Sequence, residues 1–177
     1  MTCIAGLVDN GKVWIGGDSA GVTGFDVCIR SDSKVFKVGD FIFGFTTSFR
    51  MGQLLRFSFT PPKRHSDKDI MAYMVTDFID GIRKCFKDGG FANKSNDVET
   101  GGTFLVGHEG RLFCIESDYQ VGEPSDYYHA VGCGESYAKG SFYSTKQLSA
   151  SKRIELALKS AEHHSAGVRG PFTILSI

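Results

Sequence analysis

Residues 1–21 read MTCIAGLVDNGKVWIGGDSAG. Two apolar stretches, TCIAGLV and KVWIGGD, flank Asn10-Gly11, a dipeptide favoured in two-residue hairpin turns because both central positions take positive φ. The stretch therefore predicts a β-hairpin that begins at Thr2 and closes at an acid, Asp18. Terminal residues usually fray unless something ties them down, and a strand starting at residue 2 is such a tie. Antiparallel pairing returns the end of the second strand to the start of the first, so Asp18 is expected beside Thr2.

Further along, KVFKVGD and FIFGFTT predict a second hairpin around Gly39-Asp40. Residues 19–26 read as a loop, 48–57 as a short helix, and 58–66, with Pro61-Pro62 and a solvated KRH run, as a surface connection. In residues 67–88 Ile70, Met71, Met74, Phe78, Ile82 and Phe86 recur at three and four spacings, the period of a helix with a core-facing stripe. Ser66 or Asp67 is the expected cap, and Gly89-Gly90 the stop. Residues 91–102 read as a polar loop. TFLVGH and RLFCIES predict a third hairpin across Glu109-Gly110, followed by strand-like pieces at 119–121 and 128–131. Helices are expected at 134–145 and 149–164, and PFTILSI as a buried final strand. Glycines 16, 17, 21, 24 and 44 fit either turn and bulge geometry or close approach of backbone to a substrate. The order strands, helices, strands, helices, strand predicts an α+β fold: two stacked, mainly antiparallel sheets covered by helices on each outer side, an αββα four-layer sandwich.

A chain of 177 residues, 41% hydrophobic and 23% charged, suits one globular domain spanning 1–177. Lys+Arg and Asp+Glu are both 20, so no charge imbalance points to a nucleic-acid or membrane partner. Near-zero net charge gives little repulsion between copies, compatible with a subunit that assembles. Five cysteines (3, 28, 85, 114, 133) without CxxC, and no signal peptide, predict reduced thiols and a cytoplasmic setting. No apolar run is long enough to span a bilayer. The five histidines (65, 108, 129, 163, 164) show no HExxH or similar spacing, and no metal site is expected from them.

The chemistry-bearing residues lie in the first hairpin and just beyond it. Methionine before a small residue is usually trimmed, so the mature chain is expected to begin with Thr2. Such a residue carries a hydroxyl nucleophile and an α-amine with a reference pKa of about 7.7–8.0, a recognised activated pair. Asp18 follows Thr2 by 16 residues, and Lys34 follows Asp18 by 16. A lysine near the amine disfavours its protonated form by like-charge repulsion and keeps it unprotonated, free to act as a base. Asp18 would hold that lysine charged and oriented. Cys3 is the competing nucleophile if trimming went one residue further; otherwise it is a small core residue.

Set in TCIAGLV, VWIGGDSAG and DSKVF, the Thr2–Asp18–Lys34 spacing resembles the proteasome β-subunit and HslV-like family of N-terminal nucleophile (Ntn) hydrolases. The likeness continues in FIFGFTTS (41–48), TFLVGHEGRLFCIE (103–116), HAVGCGESYAKG (129–140) and PFTILSI (171–177), and so covers nearly the whole chain in order. The resemblance implies a threonine-type endopeptidase with Thr2 as nucleophile and its α-amine as base. Lys34 would tune the base and Asp18 support Lys34. Cys133 stands where the family usually has a serine that hydrogen-bonds the N-terminal amine. The oxyanion donor would be the backbone N–H of Thr47 or Thr46. His163 and Ser165 would stand behind the site at the end of the last helix, where the family's acid has no clear match. No cofactor is implied for the peptide-bond chemistry, and ATP only through a separate AAA+ ATPase. The resemblance further implies a homo-oligomeric ring, hexamer or heptamer, acting on peptides or unfolded proteins. An Ntn amidohydrolase of small amides and a non-catalytic ring subunit are the alternatives.

Overall fold

The computed structural model describes residues 1–177. Strands β1 (Ile4–Asp9) and β2 (Lys12–Gly17) form the opening hairpin, turning through Asn10 at φ 50° and Gly11 at φ 72°. A separate ribbon, β3 (Ala20–Thr23) and β4 (Asp26–Ile29), follows. Next come β5 (Val35–Val38), β6 (Phe41–Phe45) and helix α1 (Phe49–Phe57). Helix α2 (Ile70–Tyr73), a π-helical turn (Met74–Phe78) and α3 (Ile79–Asp88) run on as one helical segment. A second ribbon, β7 (Asn93–Ser95) and β8 (Val98–Thr100), precedes β9 (Phe104–His108), β10 (Arg111–Ile115), β11 (Val121–Gly122) and β12 (Tyr128–Val131). Helices α4 (Glu135–Ser144) and α5 (Ala150–His164) and strand β13 (Thr173–Ser176) complete the chain.

The fold is α+β with antiparallel pairing throughout. One sheet has the order β12-β1-β2-β13, the other β11-β10-β9-β6-β5. Alternation along the strands sends successive side chains to opposite faces, and three apolar clusters result. Ile4, Val13, Ile15, Val35, Ile42, Leu105, Leu112 and Val131 join residues from both sheets. Cys3, Ala5 and Leu7 pack with Phe142 of α4 and Ile154, Ala157, Leu158 and Ala161 of α5. Phe41, Phe43, Phe45, Phe104 and Phe113 pack with Leu54 and Leu55 of α1 and with Tyr73, Phe78, Ile82 and Phe86. Burying one such side chain fully contributes about 1.5–3 kcal/mol. The apolar stripe of residues 70–86 is core, as its period predicts.

Two glycines set the spacing that the site depends on. A Cβ at Gly44 would lie 2.5 Å from Ile4 Cγ2 and 2.7 Å from Ile15 Cγ2; one at Gly17 would lie 2.7 Å from Ile4 Cδ1 and 2.9 Å from Val35 Cγ2. Packing of sheet on sheet explains these two positions, not approach to a substrate.

Several local expectations need correction. Residues 19–26 are not an open loop but belong largely to the β3–β4 ribbon. All four residues of β4 are exposed, so no burial alternation marks it. Residues 91–102 likewise hold the β7–β8 ribbon, with exposed polar residues on β7 and a turn at Asn96 and Asp97, both at positive φ. The helical segment starts at 70 and is capped by Asp69, whose side chain accepts from the Ala72 N–H at 2.9 Å, not by Ser66 or Asp67. Strand β13 is half-buried rather than buried, because it forms the edge of its sheet beside β2. No helix is long and apolar enough to cross a membrane, and the five cysteines are all unpaired.

Candidate active site

The register of the first hairpin places Thr2 and Asp18. Ile4 pairs with Gly17, so Cys3 and Asp18 continue the ladder: the Asp18 N–H donates to the Cys3 carbonyl at 3.3 Å, and the Cys3 N–H donates to Asp18 Oδ1 at 3.0 Å. Lys34 immediately precedes β5, whose Val35 pairs with Gly44, and its carbonyl accepts from the Phe45 N–H at 3.1 Å. Sheet stacking over Gly17 and Gly44 then brings the lysine to the hairpin end.

Thr2, Asp18 and Lys34 are 5%, 2% and 2% exposed. Lys34 Nζ donates three hydrogen bonds: to Thr2 Oγ1 at 2.7 Å, to Asp18 Oδ1 at 2.9 Å and to the Ala20 carbonyl at 2.6 Å. These are all the donors an ammonium has. Burial pulls the Lys34 ammonium below its ordinary pKa, and the Asp18 carboxylate holds it up. Asp18 Oδ2 accepts from the Ala20 N–H at 3.0 Å and the Arg169 N–H at 3.4 Å. The carboxylate is thus anchored from three segments of chain, and it fixes the lysine against the threonine hydroxyl.

On the other side of Thr2 stands Cys133. The Thr2 N–H donates to Cys133 Sγ at 3.3 Å, and the thiol donates to the Thr2 carbonyl at 3.4 Å. Ser165 Oγ lies 3.3 Å from the same sulfur, so Ser165 reaches the site through Cys133. The Thr2 hydroxyl donates to the Met1 carbonyl. With Met1 attached, the Thr2 nitrogen is an amide and has no basic lone pair.

Thr46 and Thr47 flank the same space. A cavity of about 80 Å³ is lined by residues that include Met1, Thr2, Lys34, Thr46, Thr47 and Phe49. The two threonines differ in what their backbones offer. The Thr46 N–H donates to the Thr103 carbonyl at 3.2 Å, whereas the Thr47 N–H makes no hydrogen bond within the chain. Thr47 has φ 64°, which is unfavourable for a β-branched residue. Its side chain is tied back, with Oγ1 accepting from the Thr103 N–H at 3.0 Å.

The structure does not bring His163 to the site. It is exposed at the end of α5, edge-on to His164, which stacks on Tyr137. Sequence reading missed Ala20 and Arg169, which act through backbone groups and leave no side-chain signature. Arg169 is placed by the loop after α5, where Glu162 Oε1 accepts from the Gly170 N–H at 2.8 Å.

Comparison with protein-family models and with curated proteins finds no match. Comparison with solved structures does. Thiobacillus denitrificans BPH is similar over 99% of this chain and 97% of its own, with a TM-score of 0.83 at 19% identity; the same protein has been solved in complex with epoxomicin. The eukaryotic HslV from Trypanosoma brucei matches over 99% and 98% of the two chains, with a TM-score of 0.68 at 15% identity. Anbu, an ancestral beta-subunit, from Yersinia bercovieri matches over 99% and 81%, at 0.67 and 14%. The chain has the fold of the proteasome-type Ntn hydrolases.

Proposed function

We propose that this chain is a threonine-type endopeptidase subunit, one αββα domain over 1–177, that acts once the Met1–Thr2 bond is cleaved. The observation that carries the reading is the 2.7 Å hydrogen bond from the buried Lys34 ammonium to Thr2 Oγ1. A structural threonine gains little from a buried cation at its hydroxyl, while a nucleophile gains stabilisation of the developing alkoxide.

The free α-amine of Thr2 takes the hydroxyl proton as Oγ1 attacks the substrate carbonyl. The new C–O bond leaves negative charge on the carbonyl oxygen, and the unengaged Thr47 N–H is its donor. Collapse breaks the C–N bond, and the proton held by the amine passes to the departing nitrogen. Water, activated by the same amine, then hydrolyses the ester on Thr2. Lys34 lowers the proton affinity of the amine by like-charge repulsion and steadies the oxygen; Asp18 positions Lys34. Cys133 and Ser165 hold the amine in place, a role for which a thiol is a weaker partner than a hydroxyl. Loss of Met1 also opens the cavity that it partly lines.

By analogy with the neighbours, the subunit assembles as a homo-oligomeric ring in the cytoplasm, takes peptide or unfolded-protein substrates, and uses ATP only through a separate AAA+ ATPase. The test is the mass of the N-terminal peptide after incubation with a β-lactone or with epoxomicin, which Thiobacillus denitrificans BPH binds. The expected result is Met1 absent and one adduct on Thr2. A peptide that begins at Thr2 and takes no adduct overturns the peptidase reading and leaves a non-catalytic subunit of this fold.

A further inference from the structure

We propose that Cys114, Glu116 and His129 form a site for a divalent transition metal of the zinc class, which ties the two sheets together at one edge. Cys114 lies on β10, Glu116 one residue past its end, and His129 on β12. The three ligands therefore come from one strand of each sheet and from the loop that follows β10. The Cys114 sulfur, a Glu116 carboxylate oxygen and a His129 ring nitrogen lie within 4.8 Å of one another.

The strand registers aim them at the same space. His129 stands opposite Gly6, and a Cβ at Gly6 would lie 3.1 Å from Leu112 Cδ1 of β10. That face of the first sheet therefore looks onto β10. Cys114 shares its face of β10 with Leu112, and both belong to the cluster that also holds Val131, two residues beyond His129. The trio is only partly satisfied. Cys114 Sγ donates to Glu116 Oε1 at 3.2 Å, and Thr103 Oγ1 donates to Glu116 Oε2 at 3.3 Å; the half-buried His129 ring makes no hydrogen bond. A cleft of about 220 Å³ opens in front of the three and is bordered by Gln120, Gly122 and Glu123.

One sulfur, one imidazole and one carboxylate is a mixed set that Zn²⁺ accepts, whereas Mg²⁺ and Ca²⁺ call for oxygen ligands alone. Three protein ligands facing an open cleft leave the fourth tetrahedral position to water. Metal–ligand bonds of about 2.0–2.3 Å put ligand atoms roughly 3.3–3.8 Å apart, within reach of small side-chain rotations of Glu116 and His129. Binding forms the metal–sulfur bond and breaks the Cys114 S–H bond, releasing that proton to solvent with no change of oxidation state. Thiolate and carboxylate then offset the two charges of the cation. The neighbouring charges are already paired: Lys139 with Glu135 at 3.1 Å on α4, and Arg111 with Glu123. The sequence gives no hint of the site because its ligands come from two strands of different sheets and a loop, not from one short motif.

The experiment is titration of the full chain, stripped with EDTA and dialysed, with Zn²⁺ against a chromogenic chelator, and with Co²⁺ followed by absorption. The expected result is one Zn²⁺ per chain, a thiolate-to-Co²⁺ charge-transfer band and a raised thermal midpoint. Cys114→Ser is expected to remove the band and weaken Zn²⁺ binding at least tenfold. Because Cys114 is buried and that variant can misfold, His129→Gln and Glu116→Gln, both at half-buried positions, carry the same Zn²⁺ titration; each is expected to weaken binding at least tenfold. The double variant His163→Gln/His164→Gln is expected to bind as the parent does. Binding unchanged in His129→Gln and Glu116→Gln, or a band that persists in folded Cys114→Ser, overturns the proposal. So does a loss of binding confined to the His163/His164 variant, which marks an adventitious ion on exposed histidines.

Discussion

Replacing Asp18 by asparagine removes one charge and almost no volume, and the structure sets what this costs. The carboxylate accepts from Lys34 Nζ and the Cys3 N–H through Oδ1, and from the Ala20 and Arg169 N–H groups through Oδ2. An asparagine has one acceptor oxygen and one NH₂. If its oxygen keeps the Lys34 side, the NH₂ faces the Ala20 and Arg169 donors; if it turns, the NH₂ faces the ammonium and the Cys3 N–H. Either way two donors lose their acceptor and Lys34 loses its counter-charge. Removing one partner of a buried ion pair costs about 3–5 kcal/mol. Out of a total stability of about 5–15 kcal/mol, the variant folds but unfolds in much less urea. With Asp18 gone only burial acts strongly on Lys34, so its folded-state pKa drops further below the unfolded value of about 10.4. Between the two values the unfolded chain binds more protons, so the stability of the variant rises with pH across that window. Urea unfolding at pH 7 and pH 9 reads both effects. The further variant Asp18→Asn/Lys34→Met, which has no buried charge to strand, is expected to recover at least half of the loss. An Asp18→Asn variant within about 1 kcal/mol of the parent, where isolated surface pairs fall, refutes the reasoning, as does a double variant that loses the sum of the two single losses.

The remaining predictions concern the hydroxyl, the amine, the strained turn and the sheet interface. Thr2→Ala is expected to abolish peptide hydrolysis and inhibitor labelling while the chain still folds; it leaves one proton of the buried Lys34 ammonium without its acceptor, at a cost of about 1–3 kcal/mol, so the thermal midpoint falls by several degrees. In the trimmed parent, kcat/KM is expected to rise with pH through an apparent pKa below the α-amine reference of about 7.7–8.0, because the Lys34 cation disfavours a second positive charge; in Lys34→Met that limb shifts to higher pH while the rate falls. Thr47→Val keeps the positive φ and loses the solvent-exposed hydrogen bond from the Thr103 N–H, at a cost of about 0.5–1.5 kcal/mol because water takes the freed donor. Thr47→Gly loses the same bond but relieves backbone strain of about 1–3 kcal/mol, so it is expected to unfold in more urea than Thr47→Val. Gly44→Ala places a methyl 2.5 Å from Ile4 Cγ2; overpacking of this kind costs about 1–3 kcal/mol and is expected to lower activity as well as stability, because Gly44 pairs with Val35, the residue after Lys34.

The helices were legible because burial imposes a 3.6-residue period on them, and the hairpins of β1–β2, β5–β6 and β9–β10 because apolar runs, buried on both faces in β6 and β9, flank glycine-containing turns. The ribbons β3–β4 and β7–β8 were not, because they carry few or no buried residues and their pairing rests on backbone hydrogen bonds that any side chain permits. The same division runs through the site. Thr2, Asp18 and Lys34 show themselves by residue type and by position at the ends of readable strands. The choice between Thr46 and Thr47 could not be read, since it turns on which N–H the Thr103 carbonyl takes. His163 was misread although the helix was expected to end at 164: the resemblance pointed to the end of the last helix without its phase, and on α5 the imidazole faces solvent. Ser165, one residue past the end of α5, leaves the helix and turns back toward Cys133.

The positions that meet at Thr2 are far apart in sequence, yet few local rules are needed to join them. The Asn10-Gly11 turn fixes the register that sets Asp18 against Cys3. Glycine at 17 and at 44 lets β5 and β6 settle onto the hairpin, and that contact delivers Lys34, the residue before β5. A lysine delivered there loses water on every side, so it remains charged only because one carboxylate and one backbone carbonyl face it. The third direction open to its protons points at Thr2 Oγ1. Burial thus makes the hydrogen bond to the threonine hydroxyl part of how the lysine is satisfied, and the geometry that stabilises the fold at this corner is the same geometry on which the proposed attack by the hydroxyl relies.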